Sequence, residues 1–427
     1  MNQSYDVVIV GTGAAGLYCA LNLPERLAVC VITKQGAEDS DSFLAQGGMC
    51  MLRGEGDYAD YFEDTMRAGH YENNQKTVDL MIRSSNYIAR DLVRLGVNFT
   101  GKPGGGFDYT REGAHSRPRI LFHEDATGQE ITGTLLRRAQ ERDNITIAEH
   151  TTMLDIASEG NVCGGVVLSD EDGEIRLLEA GDVVLACGGV GGLYQNSTNF
   201  PHITGDALAI ALRHGIAVEH LDYVQIHPTT LFSRTPGRRF LISESVRGEG
   251  AVLRDQNGDR FTDELQPRDL LSRAVKEKMA LEGSEFVWED LRPIGKQKIL
   301  EHFPNIYEHC LGEGFDVLRE PIPVVPAQHY LMGGIRADLA GRTSMDRLYA
   351  CGETSCNGVH GRNRLASNSL LESLVFAQRA ADDIAFRHDA PAHPACQVDL
   401  GRYADQEGLF SSYRETILHE IERSDTK

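Results

Sequence analysis

Three glycines near the amino terminus have the spacing of a dinucleotide-binding loop, in the pattern Gly11-x-Gly13-x-x-Gly16. In such a loop the first glycine allows a tight turn and the second lets a pyrophosphate approach the backbone. The third lets the next helix pack closely against the strand. The helix N-terminus then presents unpaired N–H groups and a positive dipole to the phosphates. The pattern predicts dinucleotide binding, with a plain glycine-rich turn as the alternative.

The elements around this loop form a β-α-β unit. Residues 5–10 are an apolar run typical of a buried parallel strand, residues 17–23 favour a helix, and residues 27–33 predict a second strand. In an NAD site the second strand would end in Asp or Glu for the ribose 2′-OH, but here Lys34 follows it. The lysine argues against NAD, while NADP and the adenosine part of FAD both stay possible.

The rest of the chain predicts an α/β fold with a Rossmann-like nucleotide-binding domain, an inserted α+β capping domain and a short helical C-terminal segment. Prolines and charges increase over 221–330, which we interpret as the cap, and the FAD- or NADP-binding domain would comprise 1–220 and 331–388. Residues 389–427 form the last segment, with a linker over 390–394. The patterns predict helices over 58–68, 77–95 and 369–386, a β-rich block over 145–178 with a hairpin turn over 170–173, and strands over 183–189 and 348–353.

Charge and composition exclude several classes of protein. With 42 Lys and Arg against 63 Asp and Glu, the net charge is -21, so binding of nucleic acid or an anionic membrane surface is not expected. An anionic substrate would need a local cationic pocket. The apolar runs are strand-sized, which predicts no membrane span, and the first residues lack a targeting pattern, which predicts a cytoplasmic protein. Nine cysteines without a Cys-x-x-Cys pair predict neither disulfides nor a metal site.

Six motifs occur in an order that resembles the flavoprotein superfamily of succinate dehydrogenase and fumarate reductase, and within it the L-aspartate oxidases. The resemblance covers residues 1–388. The motifs are the glycine loop over 11–16, Ala-Gln-Gly-Gly over 45–48, His-Pro-Thr over 227–229, Arg-Gly-Glu-Gly over 247–250, His-Tyr-Leu-Met-Gly-Gly over 329–334 and Asn-Arg-Leu-Ala-Ser-Asn-Ser-Leu over 363–370. Members commonly continue as a longer helical domain beyond the last motifs.

The resemblance implies an FAD cofactor. Covalently flavinylated members carry a histidine four residues before the alanine of Ala-Gln-Gly-Gly, where this chain has Asp41, so non-covalent FAD is expected. The alternative for Glu353 is a solvated carboxylate at a strand end. The cofactor-binding residues that the resemblance implies are Gly11, Gly13, Ala14, Ala15, Gly16, Lys34, Ser42, Ala45, Gln46, Gly47, Gly48, Asp206, Glu353, Ser369 and Leu370.

The resemblance also implies a site for a four-carbon dicarboxylate. Arg364 would grip one carboxylate with two parallel N–H bonds, and His227 and His329 would donate to the other. Ser243 stands where aspartate oxidases have a threonine hydroxyl. Arg268 corresponds to the arginine that shuttles a proton in fumarate reduction, and the alternative is a third electrostatic clamp. Because the pKa of arginine exceeds 12, a proton shuttle would need a neighbouring carboxylate, and Glu244, Glu249 and Asp269 are the candidates.

Glu112 distinguishes the two enzyme classes that the motifs suggest. It lies in a segment, 109–115, that matches aspartate oxidases, and the corresponding loop of succinate dehydrogenases has no such acid. Aspartate carries an ammonium at C2, which Glu112 could pair with, whereas succinate carries none. The alternative is an exposed loop glutamate. Ala366 and Ser367 also follow the oxidase pattern.

These features predict FAD-dependent oxidation of L-aspartate to iminoaspartate, with O2 or fumarate as electron acceptor. The resemblance implies the first step of de novo NAD biosynthesis, with quinolinate synthase consuming the product. The main alternative is a soluble fumarate reductase or succinate dehydrogenase flavoprotein. A catalytically silent flavin-binding protein is disfavoured because Arg268, Arg364, His227 and His329 are all present.

Overall fold

The structure is a computed structural model that describes residues 4–102, 104–235, 237–387 and 396–425. The linker predicted over 390–394 lies outside these residues. The strands, in chain order, are β1 Ser4–Val10, β2 Val29–Ile32, β3 Met49–Cys50, β4 Ile120–Leu121, β5 Ile145–Ala148, β6 Thr152–Glu159, β7 Val162–Ser169, β8 Ile175–Leu185, β9 Val218–Glu219, β10 Val224–Leu231, β11 Val252–Arg254, β12 Val287–Asp290, β13 Ile322–Leu331, β14 Gly334–Arg336, β15 Leu348–Ala350 and β16 Ser355–Cys356. The helices are α1 Ala14–Asn22, α2 Glu55–Ala68, α3 Gln75–Leu95, α4 Thr127–Gln140, α5 Asp206–Arg213, α6 Glu244–Gly248, α7 Arg268–Glu282, α8 Lys296–His302, α9 Pro304–Gly312, α10 Asn368–Arg387 and α11 Gln406–Asp425.

The largest sheet has the order β5-β2-β1-β8-β7-β6, and β15 also pairs with β8. Strands β5, β2, β1, β8 and β15 run parallel, while β6 and β7 are antiparallel to their neighbours. Val7, Val8 and Ile9 of β1 are fully buried because α1 covers one face and other elements cover the opposite face. This pairing brings the carboxyl ends of β1, β8 and β15 to one edge of the sheet.

The predicted first β-α-β unit is confirmed, since strand β1, helix α1 and strand β2 follow one another in the predicted order. Helix α1 begins at Ala14, three residues before the predicted start, because the backbone enters the helix directly after Gly13. The β-rich block is confirmed as β5 to β8, with a turn over 170–173. The strand predicted over 183–189 is confirmed over 183–185, but residues 186–189 lie beyond its end, and it is not a separate element. The chain there is the end of the 11-residue strand β8, which extends from the antiparallel hairpin into the parallel sheet.

A second sheet has the order β10-β13-β12-β11 and is antiparallel throughout. It is built from the chain between 224 and 331 and shares an apolar core with α6 to α9 that includes Leu253, Val287 and Ile306. The two long strands β10 and β13 carry His227 and His329, so this sheet positions both histidines. The division of the chain into a cofactor domain and a cap stays a prediction.

The two last helices lie on opposite sides of the main sheet. Helix α10 confirms the helix predicted over 369–386 and packs against α1 and α3 through Leu371, Leu374 and Ala377. Helix α11 packs against α5 and buries Tyr413 and Ile417 in the other core. Among the described residues, no helix combines the length and apolar character that crossing a bilayer requires.

Candidate active site

A long cleft extends from the glycine loop to strands β10 and β13. It encloses about 1690 Å³ of space, part of it open to solvent. The cleft therefore has one half beside the glycine loop and another half beside β10 and β13. Except for Ala14 and Gly16, every residue that the sequence analysis named for cofactor or substrate lines this cleft.

The contacts of the glycine loop explain why Gly16 does not line the cleft, whereas Gly13 does. Gly11 has a φ of +116°, and a Cβ atom there would lie 2.1 Å from Ala186 O. A Cβ on Gly16 would lie 2.0 Å from Gly11 O, so this glycine serves the contact between α1 and the loop. At Gly13 the nearest atom to such a Cβ is Ser42 Oγ at 3.2 Å, and Ser42 also accepts a hydrogen bond from Ala14 N at 3.1 Å. Gly13 therefore keeps its backbone accessible from the cleft.

In the half of the cleft beside the glycine loop, polar atoms offer the hydrogen-bonding groups that a flavin dinucleotide needs. Buried polar atoms of Thr12, Ser40, Asp41 and Gln46 have no hydrogen-bond partner within the described part of the chain. Buried polar atoms are normally paired, so such a group marks where a ligand rich in donors and acceptors can bind. Together with the open backbone at Gly13, these residues fit FAD.

The far end of this half holds an ion pair between Lys34 and Asp206. Lys34 Nζ lies 2.8 Å from Asp206 Oδ2, and Asp206 is the first residue of α5. Lys34 Nζ also donates to His202 O at 3.3 Å. The lysine that argued against NAD in the sequence is thus fixed at the cleft wall, where its pairing to a carboxylate reduces its net attraction for a 2′-phosphate.

Glu353 lines the middle of the cleft, three residues after the end of β15. Its Oε1 accepts a hydrogen bond from Leu331 N at 2.9 Å. Burial, followed by the nearby Asp41 carboxylate, raises the pKa of Glu353 to about 8. At neutral pH the carboxyl is therefore mostly protonated and can donate a hydrogen bond to a ligand as well as accept one.

The other half of the cleft brings together four basic side chains from distant parts of the sequence. His227 on β10 and His329 on β13 have ring centroids 5.1 Å apart. Arg268 is the first residue of α7, and Arg364 lies in the turn before α10. The Arg364 guanidinium carbon lies 4.4 Å from the centroid of the Tyr330 ring, which fixes its plane. This arrangement supplies the local cationic pocket that the net charge of the protein requires.

Two of these groups keep hydrogen-bonding capacity for a ligand. Arg364 Nη1 donates to Ser369 Oγ at 2.8 Å, while its Nε is buried and has no partner within the described residues. Burial lowers the pKa of Arg364 to about 10, so it remains charged at neutral pH. His227 uses Nδ1 for contacts with the Thr229 backbone, and its buried Nε2 likewise lacks a partner there.

Both histidines are neutral at neutral pH. Burial and the positive charge of Arg268 lower the pKa of His227 and of His329 well below 6.5. Thr198 Oγ1 lies 2.7 Å from His329 Nδ1 and orients that ring. The histidines therefore act as neutral hydrogen-bonding groups, and the arginines supply the positive charge.

Arg268 has a carboxylate and an amide as fixed partners. Its Nε donates to Glu244 Oε2 at 2.5 Å, and its Nη1 donates to Gln225 Oε1 at 2.8 Å. The two other candidate carboxylates are paired elsewhere, Asp269 with His70 at 3.0 Å and Glu249 with His302 at 2.7 Å. Burial opposes the ionisation of Glu244, but Arg268 and Arg247 outweigh burial and lower its pKa.

Glu112 is buried, which contradicts the alternative of an exposed loop glutamate. Its Oε1 accepts a hydrogen bond from Ser245 Oγ at 2.9 Å, and its Oε2 accepts one from Ser367 Oγ at 2.5 Å. Burial and the nearby Glu244 raise the pKa of Glu112, while the two serines and Arg268 oppose this increase. A Cβ on Gly47 would lie 2.4 Å from Glu112 Oε1, so the Ala-Gln-Gly-Gly loop closes one side of the carboxylate.

Comparison with known proteins agrees with this geometry. A family model described as an FAD binding domain matches residues 6–370. The L-aspartate oxidase of Clostridium perfringens is 49% identical over 385 residues, which are 90% of this chain and 87% of that protein. The chain belongs to the L-aspartate oxidase family. Another member, from Neisseria meningitidis serogroup B, is 41% identical and covers 96% of this chain and 84% of its own length.

The family fold is shared with a solved enzyme of related chemistry. A structure of quinol fumarate reductase from Escherichia coli has 30% identity and a TM-score of 0.84, covering 98% of this chain and 74% of its own. The α/β fold with an FAD-binding unit that the sequence predicted is confirmed by these matches.

Several residues of the site were not named as site residues from the sequence. Gln225 could have been found, because it lies two positions before His227 on one strand and alternate residues share a face. Ser245 and Ser367 contact Glu112 from α6 and from the turn before α10, and no local spacing links these segments to residue 112. Only the folded chain brings them together.

Proposed function

We propose that this protein catalyses FAD-dependent oxidation of L-aspartate to iminoaspartate. When bound, FAD supplies flavin N5 as the acceptor for the hydride that leaves the substrate Cα. The glycine loop, Lys34, Asp206 and Glu353 hold the cofactor along the cleft. Arg364 grips one substrate carboxylate with parallel N–H bonds, and the neutral His227 and His329 donate to the other.

The observation that carries the proposal is the buried carboxylate of Glu112 beside this cationic pocket. Both of its oxygens accept hydroxyl hydrogen bonds, which orient the carboxylate and favour its charged form. A substrate ammonium would pair with this charge, whereas a dicarboxylate without an amino group would leave the buried charge uncompensated. The site therefore favours aspartate over succinate.

Arg268 has different roles in the two half-reactions of the proposal, aspartate oxidation and fumarate reduction. In aspartate oxidation, Arg268 is a cationic clamp for a substrate carboxylate. The substrate ammonium would give one proton to the adjacent Glu112 carboxylate, and the neutral amine that results allows hydride to leave Cα as the C=N bond forms. In the reduction of fumarate a proton must reach the carbon next to the one that accepts hydride. Arg268, paired with Glu244, is the group that would supply it.

The proposal includes O2, giving H2O2, and fumarate, giving succinate, as electron acceptors. FAD is bound non-covalently, since Asp41 stands where flavinylated members of the superfamily have histidine. Iminoaspartate would enter de novo NAD biosynthesis in the cytoplasm, with functional coupling to quinolinate synthase. The second candidate function is a fumarate reductase or succinate dehydrogenase flavoprotein, which the buried Arg268–Glu244 pair favours.

One experiment separates the two functions. The purified holoenzyme is mixed anaerobically with L-aspartate or with succinate, and the flavin absorbance is recorded before air or fumarate is added. We expect L-aspartate to bleach the flavin, succinate to bleach it much less, and air and fumarate each to restore the colour. Bleaching by succinate but not by L-aspartate would favour the second function, and a protein that takes up no FAD would contradict both.

A further inference from the structure

A buried charged cluster lies beneath the substrate half of the cleft. Arg119 has no exposed surface, and its guanidinium contacts Asp57 at 2.9 Å and Asp64 at 2.8 Å. Both aspartates project from α2. Arg119 also lies 2.9 Å from Nδ1 of the buried His115. Neither His115 nor Arg119 lines the cleft, and the proposed chemistry uses neither of them.

The contact with Arg119 fixes the protonation of His115. A guanidinium has only N–H donors, so Nδ1 of His115 must accept the hydrogen bond. The ring proton then sits on Nε2, which donates to Ala366 O at 3.0 Å. Burial, followed by the charge of Arg119, lowers the pKa of His115 to about 4, which agrees with a neutral ring.

The carbonyl that His115 holds belongs to an unusual turn. Ser367 has a φ of +61°, the left-handed region that residues other than glycine seldom adopt. Its own carbonyl accepts a hydrogen bond from Cys50 N at 3.0 Å. Such a conformation persists when surrounding contacts hold the backbone on both sides. The turn directs Ser367 Oγ to Glu112 Oε2, at 2.5 Å.

We infer that His115 is a positioning residue for amino-group recognition, acting through the Ala366–Ser367 turn on the carboxylate of Glu112. The chain of contacts runs from Asp57 and Asp64 through Arg119 and His115 to the turn. Residue 115 is only three positions after Glu112, so one anchored loop sets both the carboxylate and the hydroxyl that orients it. This inference rests on the proposed oxidation of L-aspartate.

Two substitutions of His115 form a matched pair. In His115→Gln the longer amide can donate to Ala366 O while its oxygen accepts from Arg119. In His115→Asn the oxygen can still accept from Arg119, but the shorter side chain stops short of Ala366 O. The two differ by one methylene. His214→Leu is a control, because His214 contacts Asp155 away from the cleft.

The test compares kcat/KM for L-aspartate with the inhibition constant of succinate, each for the FAD-loaded enzyme. We expect His115→Asn to lower kcat/KM for L-aspartate about tenfold with little change for succinate, and His115→Gln to stay within about threefold of wild type. FAD content should be unchanged in both. Equal loss for both ligands, or no loss in His115→Asn, would overturn the inference.

A double-mutant cycle checks the path of the effect. If His115 acts through Ser367, the double variant with Ser367→Ala and His115→Asn should lose no more kcat/KM for L-aspartate, relative to the inhibition constant of succinate, than Ser367→Ala loses alone. Additive losses would show that the route does not pass through the turn. Failure of the wild-type enzyme to oxidise L-aspartate would refute the proposed function. An active wild-type enzyme with an unchanged His115→Asn variant would instead refute only the inference about His115.

Discussion

Arg268 Nε donates to Glu244 Oε2 at 2.5 Å, and both side chains are buried at the wall of the cleft. Among the described residues in contact with Arg268, only the Glu244 carboxylate could return a proton to the guanidinium after Arg268 has given one to the substrate. In Glu244→Gln the amide keeps the shape but carries no charge. We expect the rate of fumarate reduction to fall about 100-fold, within the range of general acid catalysis, and aspartate oxidation by O2 to fall much less. Equal losses in the two steady-state assays would contradict the proton-supplying role.

Glu112→Gln tests recognition of the amino group. The amide cannot pair with an ammonium by charge, so KM for L-aspartate should rise about 10- to 100-fold while KM for fumarate changes little. Acidification should act in the same direction in the wild type. Because burial raises the pKa of Glu112, the carboxylate is protonated at a higher pH than an ordinary glutamate, and affinity for L-aspartate falls before that for succinate. The Gln variant should lack this difference between the two pH profiles.

Arg364→Leu removes a charge that both substrates need. We expect KM for L-aspartate and for fumarate to rise together by at least about 30-fold, the cost of leaving a bound carboxylate without its buried partner. Arg364→Lys is the matched variant, since it keeps the charge but loses the parallel pair of N–H donors and the stacking on Tyr330. It should lie between wild type and Arg364→Leu. Wild-type affinity in Arg364→Leu would remove this arginine from the site.

Gly16→Ala tests the glycine loop. The added methyl would lie 2.0 Å from Gly11 O, which is backbone, so the loop must shift away from α1. We expect lower FAD content after purification and a lower melting temperature. Gly56→Ala in α2 is the control, because a Cβ there meets no atom of the described residues within 4 Å, and alanine favours a helix more than glycine does. Full FAD content in Gly16→Ala would contradict the packing argument.

The sequence could predict those parts of the fold that depend on local pattern. The first β-α-β unit, the hairpin turn over 170–173 and α10 follow from apolar runs, turn residues and helical periodicity. The continuity of β8 could not be predicted in this way. Its first half is an amphipathic hairpin strand and its second half a buried parallel strand, so the two periodicities suggested two elements.

Local sequence patterns also could not predict which distant side chains contact each other in the site. Family motifs located Arg364 and Glu112, because each lies in a matched segment. The motifs left three carboxylates open as the partner of Arg268, since the choice depends on how α6 and α7 approach each other. Only the packed structure assigns Glu244 and pairs the other two with histidines.

Glu289 on β12 makes the stability of the protein depend on pH. It is fully buried, and neither carboxyl oxygen has a hydrogen-bond partner within the described chain; Arg247 is 4.0 Å away. Burial outweighs that arginine and raises the pKa of Glu289 to about 7. The native state therefore binds more protons than the unfolded state between about pH 4.5 and pH 7, so this group lowers stability as the pH rises through that window.

Glu289→Gln should remove this loss. The free energy of unfolding at pH 8, from urea titration of the holoenzyme, should exceed that of wild type by up to about 3 kcal/mol, and the two should converge near pH 4. Glu285→Gln is the control, since Glu285 is exposed and paired with Arg234 at the surface, where an ion pair contributes about 0 to 1 kcal/mol. A variant at position 289 whose advantage is the same at both pH values would show that the pKa of Glu289 is the same in the native and unfolded states, so that Arg247 offsets the effect of burial.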